Sequence, residues 1–215
     1  MKKNILLTGA CGGMGRATCQ KLIEEGYAVW GLDIGGKPAE GTRFIATDLT
    51  DETAVLAAFE TVRRQAGELY SIVHMAGIYD LNSLVEMSEA DFSRIFQVNL
   101  FAAYRVNRIF MPLLKKGSRI VLTSSELAPL DPLPFTGIYG ITKTALEKYA
   151  FSLRMELSLL GIDVVVLRPG AVNTGLLGDS TRALSAICQN TALFATNAPR
   201  VRRIVDSVEA QNNPP

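Results

Sequence analysis

The sequence has little of what disulfide-linked or metal-binding proteins need. Its 215 residues include three cysteines, Cys11, Cys19 and Cys188, and a single histidine. The number of cysteines is odd and their spacing does not match a metal site, so we expect neither a disulfide nor zinc. Free cysteines are typical of a reducing compartment, and the sequence therefore predicts a cytoplasmic protein.

Excess charge and long apolar runs are also missing. The 22 Lys and Arg residues nearly balance the 21 Asp and Glu residues, which leaves a net charge of +1. We therefore expect no attraction to nucleic acid or to a membrane surface. The most apolar helical stretch, residues 95–114, is interrupted by amide and arginine side chains, so it is not expected to span a bilayer. No repeat or linker divides the chain, and one domain over residues 1–215 is predicted.

What the chain does have is a series of apolar runs that alternate with helical stretches. The runs lie at residues 3–8, 28–33, 43–47, 71–75, 118–123 and 163–168. They lack the polar alternation of a sheet with one wet face, which favours buried parallel strands. Thr50 or Asp51 and Ser88 are candidate helix caps, and Gly161 is a candidate helix end. The pattern predicts an α/β fold with a doubly wound parallel sheet that binds ligands at the carboxyl ends of its strands.

A glycine-rich turn follows the first predicted strand. Residues 4–7 run into Thr8-Gly9-Ala10-Cys11-Gly12-Gly13-Met14-Gly15, and a helix follows. Glycines at such a turn let backbone N–H groups approach a pyrophosphate, which the positive end of the helix also attracts. The turn indicates a dinucleotide site of the Rossmann type.

A carboxylate ends the second predicted strand, because Asp33 lies eighteen residues after Gly15. Such an acid accepts hydrogen bonds from the adenosine ribose hydroxyls and repels a 2′-phosphate. NAD is therefore expected as the cofactor rather than NADP, although Arg43 nearby keeps NADP open.

Tyr139 and Lys143 are four residues apart, and a Ser-Ser pair ends fourteen residues upstream at Ser125. In a helix over residues 139–160, this spacing places the phenol and the ammonium on one face. The positive charge of Lys143 is expected to lower the pKa of Tyr139, so that the phenol can act as acid and base. Ser125 would then hold the substrate oxygen.

Together these motifs resemble those of the short-chain dehydrogenase/reductase family, in its single-domain form with a Tyr-x-x-x-Lys site, over residues 3 to about 210. The family's active-site asparagine falls on Asn99, its adenine-contacting Asp-Leu pair on Asp48 and Leu49, and its nicotinamide-wrapping Pro-Gly-x-x-x-Thr segment on residues 169–174. The resemblance implies a catalytic set of Asn99, Ser125, Tyr139 and Lys143. It also implies a cofactor site made of Thr8, Gly9, Gly13, Met14, Gly15, Asp33, Asp48, Leu49, Ala76, Gly77, Tyr139, Lys143, Pro169, Gly170, Val172 and Thr174.

Two features depart from the family pattern. His74-Met75-Ala76-Gly77 stands where the family commonly has Asn-Asn-Ala-Gly, and we interpret His74 as a core imidazole rather than a catalytic one. The serine usually precedes the tyrosine by thirteen residues, and Ser125 precedes it by fourteen. A bulge in the proline-rich residues 129–134 would absorb the extra residue, which favours Ser125 and leaves Ser124 as an alternative.

The resemblance implies an NAD-dependent oxidoreductase that interconverts a secondary alcohol and a ketone, as a homodimer or homotetramer. Apolar residues around the expected pocket resemble the hydroxysteroid and retinol branches of the family, so an apolar small molecule is expected as substrate. The alternatives are a 3-oxoacyl-type reductase and a non-catalytic NAD-binding sensor or scaffold. Family members usually continue into another helix and a seventh strand, so we expect a sheet lacking its last strand and a chain that is cut at Pro214-Pro215 or has a mobile substrate lid.

Overall fold

The fold is built on one parallel sheet of six strands, seen in a computed structural model that describes residues 2–131, 134–170, 187, 191–203 and 207. The strands are β1 (Asn4–Thr8), β2 (Ala28–Asp33), β3 (Arg43–Ala46), β4 (Leu69–His74), β5 (Leu114–Thr123) and β6 (Asp163–Leu167). Their order in the sheet is β3-β2-β1-β4-β5-β6, and every neighbouring pair is parallel. The predicted doubly wound α/β architecture is confirmed, with each predicted run matching one strand.

Helices connect the strands and cover both faces of the sheet. They are α1 (Gly13–Glu24), α2 (Glu52–Ala66), α3 (Glu89–Phe96), α4 (Ala102–Phe110) and α5 (Gly137–Ser158). Successive side chains of β1 point to opposite faces of the sheet, so the strand contributes to two cores. Leu6 packs in a core with α2, α4 and α5. Ile5 and Leu7 pack in a second core that includes Cys19 of α1. In the part of the chain that the structure describes, no helix has the length and apolarity needed to cross a membrane.

Local sequence sets the helix ends. The Asp51 side chain accepts a hydrogen bond from the Thr53 N–H and caps α2, which decides between the two predicted caps. Ser88 caps α3 in the same way through the Asp91 N–H. Gly161 follows α5 with φ 68°, as expected of a glycine that ends a helix.

A π-helical turn, Gln97–Phe101, joins α3 to α4. Such turns are rare, interrupt the regular pattern of helix hydrogen bonds and often occur at functional sites. This one carries Asn99, which is 2% exposed.

The strand order places a crevice beside β1. The chain builds outward from β1 to β3 and then returns across the sheet to β4. In doubly wound sheets, ligands bind at the carboxyl ends of the strands where the order reverses in this way. Thr8 and His74, the last residues of β1 and β4, lie side by side at this point.

Candidate active site

The glycine loop lies directly against the end of β4. Gly9 has φ 73°, and a Cβ atom there would lie 2.6 Å from the Ala76 nitrogen. A Cβ on Gly15 would overlap the Gly9 carbonyl oxygen. Thr8 completes the contact, because its hydroxyl accepts a hydrogen bond of 3.3 Å from the Ala76 N–H. The glycines leave the backbone N–H groups before α1 accessible, and the first turn of α1 has no acidic residue that would repel an anion. This arrangement fits the phosphates of a dinucleotide.

Asp33 is held between this loop and the end of β2. One carboxylate oxygen accepts from the Cys11 N–H at 2.9 Å, and the other accepts from the Ile34 N–H at 2.8 Å. An ionised carboxylate can accept about four hydrogen bonds, so each oxygen keeps capacity for a ribose hydroxyl.

The turn after β3 is also fixed. Asp48 Oδ1 accepts from the N–H and the hydroxyl of Thr50 at 2.8 and 2.7 Å, and these bonds hold the pKa of Asp48 below its usual range. The carbonyl of the buried Leu49 accepts from Arg105 at 2.6 Å. The turn is therefore tied to α4 on one side and to its own backbone on the other.

Arg43 lies away from Asp33. In the β2–β3 register it pairs with Trp30, and its guanidinium lies 4.9 Å from the centre of the Trp30 ring. Asp33 pairs with Ala46, three residues further along the strand, which is about 10 Å at the usual rise of a strand. Arg43 therefore belongs to the amino end of β3 rather than to the ligand edge.

The structure brings Ser125 to Tyr139. Both residues are buried, and Ser125 lies near enough to the phenol for a hydrogen bond from its side chain to lower the pKa of Tyr139. Ser124 instead directs its hydroxyl to the Lys143 carbonyl at 3.5 Å and to the Glu147 carboxylate. Of the two serines left open by the sequence, Ser125 is the one beside the phenol.

Lys143 lies one helical turn after Tyr139, but its ammonium does not act as predicted. Its Nζ donates to the Thr123 carbonyl at 2.9 Å and lies 5.5 Å from the centre of the Tyr139 ring. Burial lowers the pKa of Lys143 to about 8. Burial also raises the pKa of Tyr139, against the smaller opposing effect of the Ser125 hydrogen bond. The expected lowering of the Tyr139 pKa by Lys143 is wrong, because desolvation of the phenol dominates.

Asn99 links three elements at the base of the site. Its Oδ1 accepts from the Ile78 N–H at 2.8 Å, and its Nδ2 donates to the Ile78 carbonyl at 2.9 Å and to the Thr142 hydroxyl at 3.1 Å. A Cβ on Gly77 would lie 3.4 Å from both Asn99 Oδ1 and Lys143 Nζ, so the loop after β4 passes close to both side chains. Asn99 also lines a cavity of about 10 Å³ with Thr8, His74 and other residues, close to the minimum volume for one water.

His74 is a core residue, as the sequence favoured. It is fully buried, its Nε2 lies 2.7 Å from Asn107 Oδ1, and Asn107 donates in turn to the Tyr149 hydroxyl at 3.0 Å. Burial lowers the pKa of His74 to about 4, so its imidazole is neutral at pH 7. The neighbouring Met75 sulfur accepts a weak bond of 3.6 Å from the Thr123 hydroxyl.

Sequence reasoning did not foresee the aromatic contacts of the site. The ring of Tyr79 lies 4.6 Å from that of Tyr139, centre to centre. Phe135, which has φ 70°, packs edge-on against Phe194 at 5.3 Å and also contacts Leu81. The sequence predicted only that apolar residues surround the expected pocket.

The segment after β6 is tied to the end of β5. The Ser124 N–H donates to the Leu167 carbonyl at 2.7 Å, and the Glu126 N–H donates to the Pro169 carbonyl at 3.1 Å. Pro169 and Gly170 therefore lie at the ligand edge of the sheet, while Val172 and Thr174 of the predicted cofactor site fall outside the described residues.

Comparisons with known proteins agree with this geometry. The family model described as short chain dehydrogenase matches residues 3–185. The 3-ketodihydrosphingosine reductase of Bacteroides thetaiotaomicron is 27% identical over 95% of this chain and 76% of its own length. The NADPH-dependent 1-acyldihydroxyacetone phosphate reductase of Schizosaccharomyces pombe is 28% identical over 90% of this chain and 68% of its own.

A solved structure shares the fold. The crystal structure of a dehydrogenase/reductase from Sinorhizobium meliloti 1021 is 29% identical and has a TM-score of 0.74, over 81% of this chain and 74% of that one. The chain belongs to the short-chain dehydrogenase/reductase family. It is therefore an oxidoreductase that uses a nicotinamide cofactor.

Proposed function

We propose that the protein is an NAD-dependent oxidoreductase that interconverts a secondary alcohol and a ketone. The observation that carries the proposal is the buried group of Ser125, Tyr139 and Lys143 at the carboxyl edge of the sheet. This edge also carries the glycine loop, so a dinucleotide and a substrate would meet there.

Each side chain of this group has a distinct task in the proposal. Ser125 holds the substrate oxygen, and Tyr139 donates its phenol proton to a ketone oxygen or, as the phenolate, takes the hydroxyl proton from an alcohol. Lys143, with a pKa of about 8, is mainly protonated at neutral pH and presents a positive charge beside the phenol. The nicotinamide, when bound, accepts or supplies the hydride.

Asn99 has a task in moving the proton from Tyr139 outward. Its carboxamide is engaged with Ile78 and Thr142, and it lines the small cavity behind the site. A single water in that cavity would lie between polar groups of Thr8, His74 and Asn99. We assign Asn99 the task of holding such a water, as the family resemblance implies.

The choice of NAD rests on Asp33. Its carboxylate is fixed by two backbone N–H groups, and Arg43 lies too far along β3 to neutralise it. A 2′-phosphate at this place would therefore be repelled.

The walls of the pocket support an apolar substrate. Tyr79 covers Tyr139, and Leu81, Phe135 and Phe194 form an apolar cluster beside Tyr79. Both relatives described above are named for substrates that carry a ketone or acyl group. A 3-oxoacyl-type reductase and a non-catalytic sensor are the competing functions, and the homo-oligomer and cytoplasmic location stay predictions.

The decisive experiment measures turnover of a panel of secondary alcohols and their ketones with each of the two cofactors. Activity with NAD on apolar members is expected, and Tyr139→Phe should lower kcat by on the order of 10²–10⁴. Tyr104→Phe is the matched control, because Tyr104 is 49% exposed on α4. Calorimetric binding of NADH should be nearly equal in all three proteins. NADH binding without turnover of any substrate would favour the sensor, and full activity of Tyr139→Phe would disprove the mechanism.

A further inference from the structure

A half-buried ion pair joins the end of β6 to the helix that carries Tyr139 and Lys143. Arg168 donates from Nε to Glu147 Oε1 and from Nη2 to Glu147 Oε2, each at 2.6 Å. Two parallel bonds of this kind fix orientation as well as distance. Neither residue belongs to the motifs that define the family resemblance.

The positions of the two residues show which parts of the chain the pair connects. Glu147 lies one helical turn after Lys143 on α5, and its side chain is 9% exposed. Arg168 is the residue between Leu167, which ends β6, and Pro169. The pair therefore fixes the point at which the chain leaves the sheet toward the ligand edge.

We propose that Glu147 and Arg168 are positioning residues, which hold the segment 169–170 in place for the nicotinamide half of the cofactor. The inference rests on the proposed function, because it assumes that this segment contacts the nicotinamide. The pair contributes mainly by fixing the positions of the two side chains. Its electrostatic attraction is small, because the Arg168 side chain is 45% exposed and water screens the interaction.

Backbone bonds hold the side of the same segment that faces β5. The Ser124 and Glu126 N–H groups bind the carbonyls of Leu167 and Pro169 and so tie the segment to β5. Arg168 supplies the tie to α5, where Tyr139 and Lys143 lie. Arg154 of α5 also donates to the Val164 carbonyl at 2.8 Å, but that bond holds the earlier part of β6. Loss of the Arg168 pair should therefore loosen the end of β6 against the reacting groups without freeing the strand.

The adenosine half of the cofactor offers an internal control. The glycine loop and Asp33 follow β1 and β2, and β6 is four strands away from β2 in the sheet. That separation is about 19 Å at the usual strand spacing. A loosened β6 end should therefore weaken the hold on the nicotinamide and leave the adenosine site unchanged.

The test compares two ligands, NADH and ADP-ribose, which lacks only the nicotinamide, by titration calorimetry. Glu147→Gln keeps the shape of the side chain but removes its charge. We expect it to raise the Kd of NADH by roughly tenfold, as suits one lost charged contact, and to leave the Kd of ADP-ribose within about twofold. Arg168→Gln should give the same selective loss, and the double variant should be no worse than either, since the pair acts as one unit.

The matched control is Glu68→Gln. Glu68 pairs with Lys115 at 2.6 Å at the amino edge of the sheet, where both side chains are well exposed. This change should alter neither Kd. If Glu147→Gln does not fold, Arg168→Lys decides the question, because it keeps the charge but cannot form two parallel bonds. It should still raise the Kd of NADH selectively.

Each outcome has a definite reading. An unchanged ratio of the two dissociation constants, or an equal loss of both ligands, would overturn the positioning role. A wild-type protein that binds neither NADH nor NADPH would overturn the proposed function instead. If NADPH is the ligand that binds, it and 2′-phospho-ADP-ribose replace the first pair and the same ratio is measured.

Discussion

His74 Nε2 and Asn107 Oδ1 lie 2.7 Å apart in the core, where the imidazole lies at the end of β4 and the amide on α4. Because Asn107 Nδ2 donates to the Tyr149 hydroxyl, its Oδ1 is left to accept, and the imidazole donates from Nε2. The pair ties the sheet to two helices at the very point where the sequence departs from the family pattern.

Burial of the His74 imidazole, which outweighs the opposing effect of the Asn107 hydrogen bond on its pKa, predicts a loss of stability in acid. The pKa of His74 falls from 6.5 to about 4 on folding, so between these values the unfolded chain binds more protons than the folded one. Stability from the neutral imidazole is thus complete above pH 6.5 and is lost as the pH falls toward 4. The loss should amount to about 3 kcal/mol.

Two measurements check this pH dependence. Since the chain has one histidine, an imidazole NMR titration of untagged protein reports His74 without assignment. Urea unfolding from pH 7 to pH 4.5 should show a smaller loss of stability for His74→Asn than for the wild type. Parallel curves for the two proteins, or an imidazole that titrates near 6.5, would contradict the prediction.

The second prediction concerns the choice of cofactor at Asp33. Wild-type protein should prefer NAD by roughly tenfold or more in kcat/KM, because the carboxylate repels a 2′-phosphate. Ile34 is 77% exposed, so a cation can replace it without disturbing the core. Asp33→Ala combined with Ile34→Arg should shift the preference toward NADP.

Steady-state kinetics with both cofactors measures this shift. Burial and the Asp33 carboxylate raise the pKa of the Cys11 thiol, and the charge of Arg16 opposes them. Arg16 is therefore the informative control, since its charge reaches the glycine loop. Arg16→Ala should leave the preference for NAD intact. Equal efficiency of the unmodified enzyme with NAD and NADP would show that Asp33 does not select the cofactor.

The third prediction concerns Glu86, which holds the segment 191–194 beside the apolar cluster of Leu81, Phe135 and Tyr79. Its carboxylate accepts from the Thr191 hydroxyl at 2.7 Å and from the N–H groups of Ala192 and Leu193 at 2.9 and 3.0 Å. Hydrogen bonds, led by that from Leu193, hold the pKa of Glu86 below its usual range, so the contact is lost only as the pH falls through that lowered value.

Glu86→Gln should raise KM for an apolar substrate several-fold, because Phe194 then loses its fixed position against Phe135. The Kd of NADH should not change, and Glu89→Gln on the exposed first turn of α3 serves as control. Kinetics with one apolar substrate and calorimetry with NADH separate the two effects. A KM equal to that of the wild type would mean that the segment does not shape the pocket.

The sequence was sufficient for the sheet and for the pairs that are close in the chain. Strands buried on both faces appear as continuous apolar runs, which is why all six were located. Tyr139 and Lys143 lie on one helix, so their proximity follows from helix geometry alone. The Asp51 and Ser88 caps are equally local.

Other features depend on contacts between distant parts of the chain. The choice between Ser124 and Ser125 depends on which way each side chain points at the end of β5. Successive residues of a strand point to opposite faces of the sheet, so a shift of one residue exchanges the two serines. His74 meets Asn107 across 33 residues, and Glu86 meets Thr191 across 105. The pKa of Tyr139 depends on how completely neighbouring elements cover it, which spacing along one helix does not report.

The π-helical turn at Gln97–Phe101 changes the rotational phase of the helix that contains it. Each residue of an α-helix advances by about 100°, so the extra residue in this turn offsets the inward face of α4 from that of α3. Ile95 consequently faces Ile138 and Tyr139, whereas Val106 and Phe110 face the larger core. The direction of the Asn99 amide thus depends on the number of residues in this helix as well as on their identity. A single insertion or deletion there would turn the amide away from Ile78 even if every other contact of the site were kept.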